Sequence, residues 1–160
     1  MIVVADSGPL HYLILLDQAD LLRRFYGQVV IPDAVVAELS SSGAPTLVRE
    51  WILKPPTWSN IVSVPQEAVE TVTDALDLGE RSAIALAGSL RADLLLIDEA
   101  AGRAEPQRRG LRATGTLGVL RVAAEQRLVD VPELIVRLRA TTFYVGDELL
   151  SDIFRPWLGP

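Results

Sequence analysis

Cysteine is absent from this chain, which excludes disulfide frameworks, thiolate zinc sites and cysteine nucleophiles and fits a reducing, cytoplasmic setting. Only one histidine, His11, and one lysine, Lys54, stand beside fourteen arginines. A Ser-His-Asp triad would have to use His11, and no G-x-S-x-G elbow is present. Neither a G-x-x-x-x-G-K-[ST] phosphate loop nor a G-x-G-x-x-G fingerprint occurs. No apolar run reaches the ~18 residues that suggest a membrane span, so no membrane association is expected. The first residues lack the basic region of a secretory signal. Acids are the main reactive groups left. Carboxylates on their own usually work as a glycosidase pair or as ligands for a hard cation.

What is present suits a packed core: 160 residues, 49% hydrophobic and 22% charged, read as a single domain over residues 1–160. The net charge of −6 argues at first sight against nucleic acid, whose partners usually carry a basic footprint. The distribution softens that objection. Between Ala100 and Gly115, Arg103, Arg108, Arg109 and Arg112 face only Glu105, a local balance of +3. A basic patch beside an acidic pocket can hold a polyanion while a metal offsets the carboxylates.

Short apolar runs alternate with helical patterns. Ile2 to Ala5, QVVIP, NIVSV, DLLLI and LRATG read as strands, and no Asn-Gly hairpin separates them. Helices are expected over LHYLILL, ADLLRRFYG (capped by Asp17 or Asp20), DAVVAELSSSG (capped by Asp33), TLVREWIL and EAVETVTDAL. Further ones follow in LGERSAIALAGSLRA, EAAGRAEPQRRG (interrupted at Pro106), Thr116 to Leu128, VPELIVRLRAT and GDELLSDIFRPWL. The alternation implies a three-layer α/β/α sandwich with a central parallel sheet.

In such a sheet, ligands bind beyond the carboxyl ends of the strands. Asp6 follows the first run and the adjacent Asp98 and Glu99 follow LLLI, 92 residues further on. Glu38 is placed on the first turns of the helix after Pro32, and Glu80 opens the LGERSAIALA helix. Each has a bland reading: Asp6 and Asp98 as helix caps, Glu80 and Glu99 as first-turn acids, Glu38 as a solvated surface residue. The set argues otherwise. Gathered carboxylates repel one another and need a cation such as Mg²⁺ or Mn²⁺.

Five segments in this order, VADSGPL, IPDAVVAEL, DLGERSAIALA, LLIDEAAGR and RATGTLGVL, resemble the PIN-domain family of metal-dependent ribonucleases. The likeness spans roughly residues 2–140 and is strongest to the VapC-like branch, the toxins of bacterial and archaeal toxin–antitoxin pairs. It implies a PIN-like fold and Mg²⁺- or Mn²⁺-dependent endonucleolytic cleavage of RNA. The family's acids fall on Asp6, Glu38 and Glu80, and its last on Asp98 or Glu99. Asp6, Glu80, and Asp98 or Glu99 would hold the metal, and Glu38 would ligate it or orient a water. Ser7 and Thr116 are candidates for hydrogen-bonding to the ligands or to substrate phosphate, and the four arginines for contacting backbone phosphates. The likeness further implies a homodimer and a small antitoxin partner.

Other readings remain open. A doubly wound phosphatase also places an Asp after its first strand, but wants a second Asp two residues later, where Gly8 stands, and a lysine. A response-regulator receiver has the same difficulty, since Lys54 sits in a proline-rich stretch. A catalytically inactive PIN-like protein- or RNA-binding module is the non-enzymatic alternative.

Overall fold

The computed structural model describes residues 1–98 and 100–159, the side chains of residues 100–102 excepted. Val- and Leu-rich runs become strands because a parallel sheet covered on both faces buries its central strands on both sides. They are β1 (Val3–Ala5), β2 (Val29–Pro32), β3 (Ser59–Val62), β4 (Leu94–Leu96) and β5 (Ala113–Thr114). All pair in parallel, in the order β3-β2-β1-β4-β5. The chain steps outward from β1 to β3 and then returns to add β4 on the other side of β1. The switch point therefore lies between β1 and β4.

Helices α1 (Ser7–Leu15), α2 (Asp20–Tyr26), α3 (Asp33–Leu39) and α4 (Thr46–Leu53) precede β3. Helices α5 (Gln66–Glu70) and α6 (Leu78–Leu90) lead to β4, and α7 (Ala100–Arg108) leads to β5. Helices α8 (Thr116–Glu125), α9 (Val131–Arg139) and α10 (Asp147–Phe154) close the chain. Alternation along the strands splits the core in two. Val3, Ala5 and Leu96 face α1, α2, α8, α9 and α10, whereas Val4, Leu95 and Ile97 face α6. This is the expected three-layer α/β/α sandwich.

Local departures have local causes. The helix expected over EAVETVTDAL stops at Glu70. Its continuation is rich in β-branched residues, and the Thr71 hydroxyl donates to the Ala68 carbonyl at 2.7 Å while the Thr73 hydroxyl accepts from the Ala75 N–H at 3.3 Å. Such bonds compete with helix propagation. Val72 and Leu76 are nevertheless buried against α6. Helix α7 runs through Pro106 without a break. Neither Asp17 nor Asp20 caps α2, since Ala19 holds that position and Asp20 pairs with Arg23 at 2.8 Å. Pro32, not Asp33, precedes α3, and Asp33 accepts from the Ser63 hydroxyl at 3.0 Å. Among the described residues, no helix is long and apolar enough to cross a membrane.

Candidate active site

Five carboxylates line one pocket of about 360 Å³ at the carboxyl edge of the sheet: Asp6, Glu38, Asp77, Glu80 and Asp98. Asp6 follows β1 directly, and its backbone N–H still donates to the Leu96 carbonyl at 2.9 Å. It stands at the N-cap position of α1, but its side chain makes no capping bond, so the capping explanation for this acid fails. Its carboxyl is only 4% exposed, and Oδ1 is buried without a hydrogen-bond partner. Burial pushes its pKa up to about 8, the Ser7 N–H works in the opposite direction, and the carboxylates of Asp77, Glu38 and Glu80 add to the rise.

Glu38 occupies the last turn of α3, not the first, because the helix is shorter than the sequence pattern suggested. An acid at this end runs against the helix dipole. Its carboxylate packs on Gly79, where a Cβ would overlap Oε1. Asp77 and Glu80 form the capping box of α6: Asp77 Oδ1 accepts from the Glu80 N–H at 2.8 Å, and Glu80 Oε1 accepts from the Asp77 N–H at 3.2 Å. The capping role of Glu80 is thus real, and it coexists with a place in the pocket. Asp77 was missed in the sequence, although D-x-x-E before an apolar run is a capping signature.

Asp98 is bound from across the fold. Its Oδ1 accepts from the Thr116 N–H at 2.6 Å and its Oδ2 from the Thr116 hydroxyl at 2.7 Å, tying the end of β4 to the start of α8. Burial raises its pKa, while the Thr116 bonds and the Arg103 charge lower it. Space around it is made by glycines: a Cβ at Gly115 would overlap Oδ1, and one at Gly8 would reach Oδ2 at 3.0 Å. Thr116 is fully buried and holds the Asp98 carboxylate through both its N–H and its hydroxyl. Glu99, the alternative to Asp98, lies outside the described residues. Ser7 and His11 also line the pocket, and burial holds the His11 imidazole below its usual pKa.

The expected patch of four arginines beside the acids does not form. Arg103 alone stays there, its Nε donating to the Ile97 carbonyl at 3.1 Å. Helix α7 carries the others back to the opposite edge of the sheet, a run of roughly 13 Å at ~1.5 Å per residue. There Arg108 and Arg109 pair with the buried Glu105, and Arg109 also donates to the Thr71 carbonyl at 2.6 Å. Arg112 lies just before β5, and the Leu95 N–H donates to its carbonyl at 2.9 Å. Trp51 and Trp58 pack edge to face at 5.8 Å between ring centroids.

Does this pocket suit a cation? Its donors are carboxylate oxygens, the chemistry of Mg²⁺, Mn²⁺ or Ca²⁺, and the bare, buried Oδ1 of Asp6 has no other partner. Among the described residues, no group of three or more acidic or histidine side chains is placed to hold a metal ion together. Water would have to complete the coordination, as Mg²⁺ usually requires. The residues fit a hydrated hard cation.

Sheet and pocket together define an α/β/α protein with an acidic cleft at its topological switch point. Residues 2–157 match the family model described as the PIN domain, and the chain belongs to that family. Its fold is similar to that of a PilT N-terminus domain protein from the hyperthermophilic archaeon Sulfolobus solfataricus P2, with a TM-score of 0.51 and 16% identity over 91% of this chain and 100% of that one. Among curated proteins, none matches the chain.

Proposed function

We propose that this protein is a metal-dependent endoribonuclease and the toxin of a type II toxin–antitoxin pair. PIN domains are generally nucleases. The observation that carries the reading is the convergence of five acids on one pocket around an Asp6 Oδ1 that is buried without a partner.

Asp6, Glu80 and Asp98 would hold Mg²⁺ or Mn²⁺, with Glu99 the alternative at the last corner. When bound, such a cation offsets the charge of the attacked phosphate and eases deprotonation of a water. Asp98 contributes through the lone pairs that its two Thr116 bonds leave over, and those bonds fix its orientation. Glu38, which leans on Gly79, would ligate the metal or orient the attacking water. Ser7 lies beside Asp6 on the pocket wall and can donate to a phosphate oxygen. Arg103 supplies a nearby guanidinium for the RNA backbone. The toxin role, with a homodimeric state and a small antitoxin covering the acidic cleft, is supported by the VapC-like motifs.

The decisive experiment incubates the protein with end-labelled structured RNAs and Mn²⁺ or Mg²⁺, beside Asp6→Asn and Glu80→Gln. Internal cleavage that needs the divalent ion and is lost in both variants supports the proposal. Release of inorganic phosphate with intact chains would replace it with a phosphatase. No cleavage, together with a melting temperature that neither ion moves, would leave the inactive PIN-like module.

A further inference from the structure

A second depression, of about 570 Å³, shares Asp98 with the acidic pocket and continues from it across α8 and the segment between α9 and α10. Its walls differ from those of the acidic pocket. Arg103 and Arg121 supply positive charge, Leu117 and Leu149 are apolar, and Tyr144 stands at the rim.

Tyr144 is 97% exposed, an unusual state for a ring that gains most of its stabilisation from contact. The segment that carries it is nonetheless well anchored. Before it, the Thr141 hydroxyl donates to the Leu138 carbonyl at 2.6 Å and accepts from the Phe143 N–H at 3.2 Å. The Phe143 ring packs edge to face on Tyr12 at 4.9 Å, and the Tyr12 hydroxyl bonds that of Thr142 at 3.0 Å. Arg139 and Asp147 bridge the two ends of the segment at 2.6 Å. Tyr144 is thus an uncovered ring on a pinned support.

Arg121 engages Glu125 through Nε at 3.2 Å, with both side chains about half exposed. Such a pair is weak and can yield to a phosphate. Arg103 stands between the two depressions. In a chain of net charge −6, two guanidiniums and an uncovered ring beside the acidic pocket suit a polyanion with flat faces, and the apolar wall of Leu117, Phe143, Val145, Leu149 and Ile153 can receive those faces.

We infer that this depression is the track for the RNA strand leaving the acidic pocket: a nucleotide next to the cleaved phosphate stacks on Tyr144, and its phosphates meet Arg103 and Arg121. The inference rests on the nuclease reading and deepens it, because a base can reach an exposed ring only from an unpaired strand.

The test is fluorescence anisotropy with a labelled single-stranded oligoribonucleotide of about 12 nucleotides, within the usual range of single-strand sites, in Ca²⁺ and at several salt concentrations. Tyr144→Ala should weaken binding by about 5- to 150-fold, the usual range for loss of one stacked base. Tyr144→Phe should retain it. Arg121→Gln should lower the salt slope by about 0.7, as expected for one lost phosphate contact on a single strand. A duplex of the same length should bind more weakly and ignore Tyr144→Ala. If Tyr144→Ala, shown folded by circular dichroism, binds the single strand like wild type, the inference is overturned. If that variant also changes oligomeric state in light scattering, the depression is a protein interface. The two readings fail separately: wild-type cleavage with Tyr144-independent binding removes only the track, whereas Tyr144-dependent binding without cleavage in any divalent ion removes only the nuclease.

Discussion

Replacing Asp6 by Asn should shift the balance of stability towards the variant, in the metal-free protein, as pH rises. Folding moves the Asp6 carboxyl from an ordinary value of 3.8 to about 8. The native state therefore keeps a proton that the unfolded chain has released, and native stability falls as pH climbs from about 3.8 towards 8. At about 1.4 kcal/mol per pH unit, the upper bound on that loss between about pH 5 and pH 8 is roughly 4 kcal/mol. For a chain of this size that is roughly 8–16 °C of melting temperature. The Asn amide carries no titration but leaves a buried polar group poorly satisfied, a roughly constant cost of about 1–3 kcal/mol. The slope of the difference with pH, not its offset, is thus the diagnostic quantity. Thermal melts in EDTA across this range, wild type against Asp6→Asn, should show curves that diverge as pH rises. Adding Mn²⁺ should then restore the wild type by about 2.7 kcal/mol at a hundredfold excess over its dissociation constant, and leave the variant unmoved. Parallel pH curves for the two proteins would refute the burial argument for Asp6.

Other residues give sharper contrasts between stability and activity. Gly79→Ala places a methyl where the Glu38 carboxylate lies; cleavage should fall about tenfold to a hundredfold, as for an ångström of misplacement, while the melt stays level or rises because Ala favours the helix. Thr116→Val removes the hydroxyl bond to Asp98, and urea unfolding should show a loss of about 1–3 kcal/mol with a weaker Mn²⁺ midpoint by calorimetry. Arg103→Gln should reduce RNA affinity, whereas Arg112→Gln, at the far edge of the sheet, should leave it within about twofold by anisotropy. Glu105→Gln should lower the melting temperature at neutral pH, with the difference closing on acidification. Arg109 and Arg108 hold that carboxyl below its ordinary value, so its contribution is lost as pH falls through the carboxylate range.

The strands were legible because a buried parallel strand leaves a bounded apolar run, and VVA, VVIP and LLL all became strands. The strand-end acids were legible for the same reason: a polar residue ending such a run must lie at the rim of the sheet. Boundaries were less so. Glu38 was placed on the wrong end of its helix because the run DAVVAELSSSG does not show where it stops; the Ser40 hydroxyl turning back to the Val36 carbonyl at 2.6 Å marks that end. Asp77 was overlooked because an acid at a helix N-cap has a sufficient local reason to be there. The structure shows that a local reason and a place in the pocket are compatible.

The arginines carry the larger lesson. Four cations within a short stretch suggested a phosphate-binding patch, but spacing along a chain says nothing about which edge of a sheet a returning helix reaches. Helix α7 takes Arg108 and Arg109 to Glu105, away from the acids. The acidic pocket then has five carboxylates and one adjoining guanidinium to offer a polyanion. That balance repels a phosphate at any realistic separation. For RNA to enter, positive charge has to be brought in from solution, and the carboxylate that burial has left most expensive to ionise, Asp6, is the one a divalent ion would relieve most. Affinity for RNA should therefore depend on the divalent ion first and on arginines second.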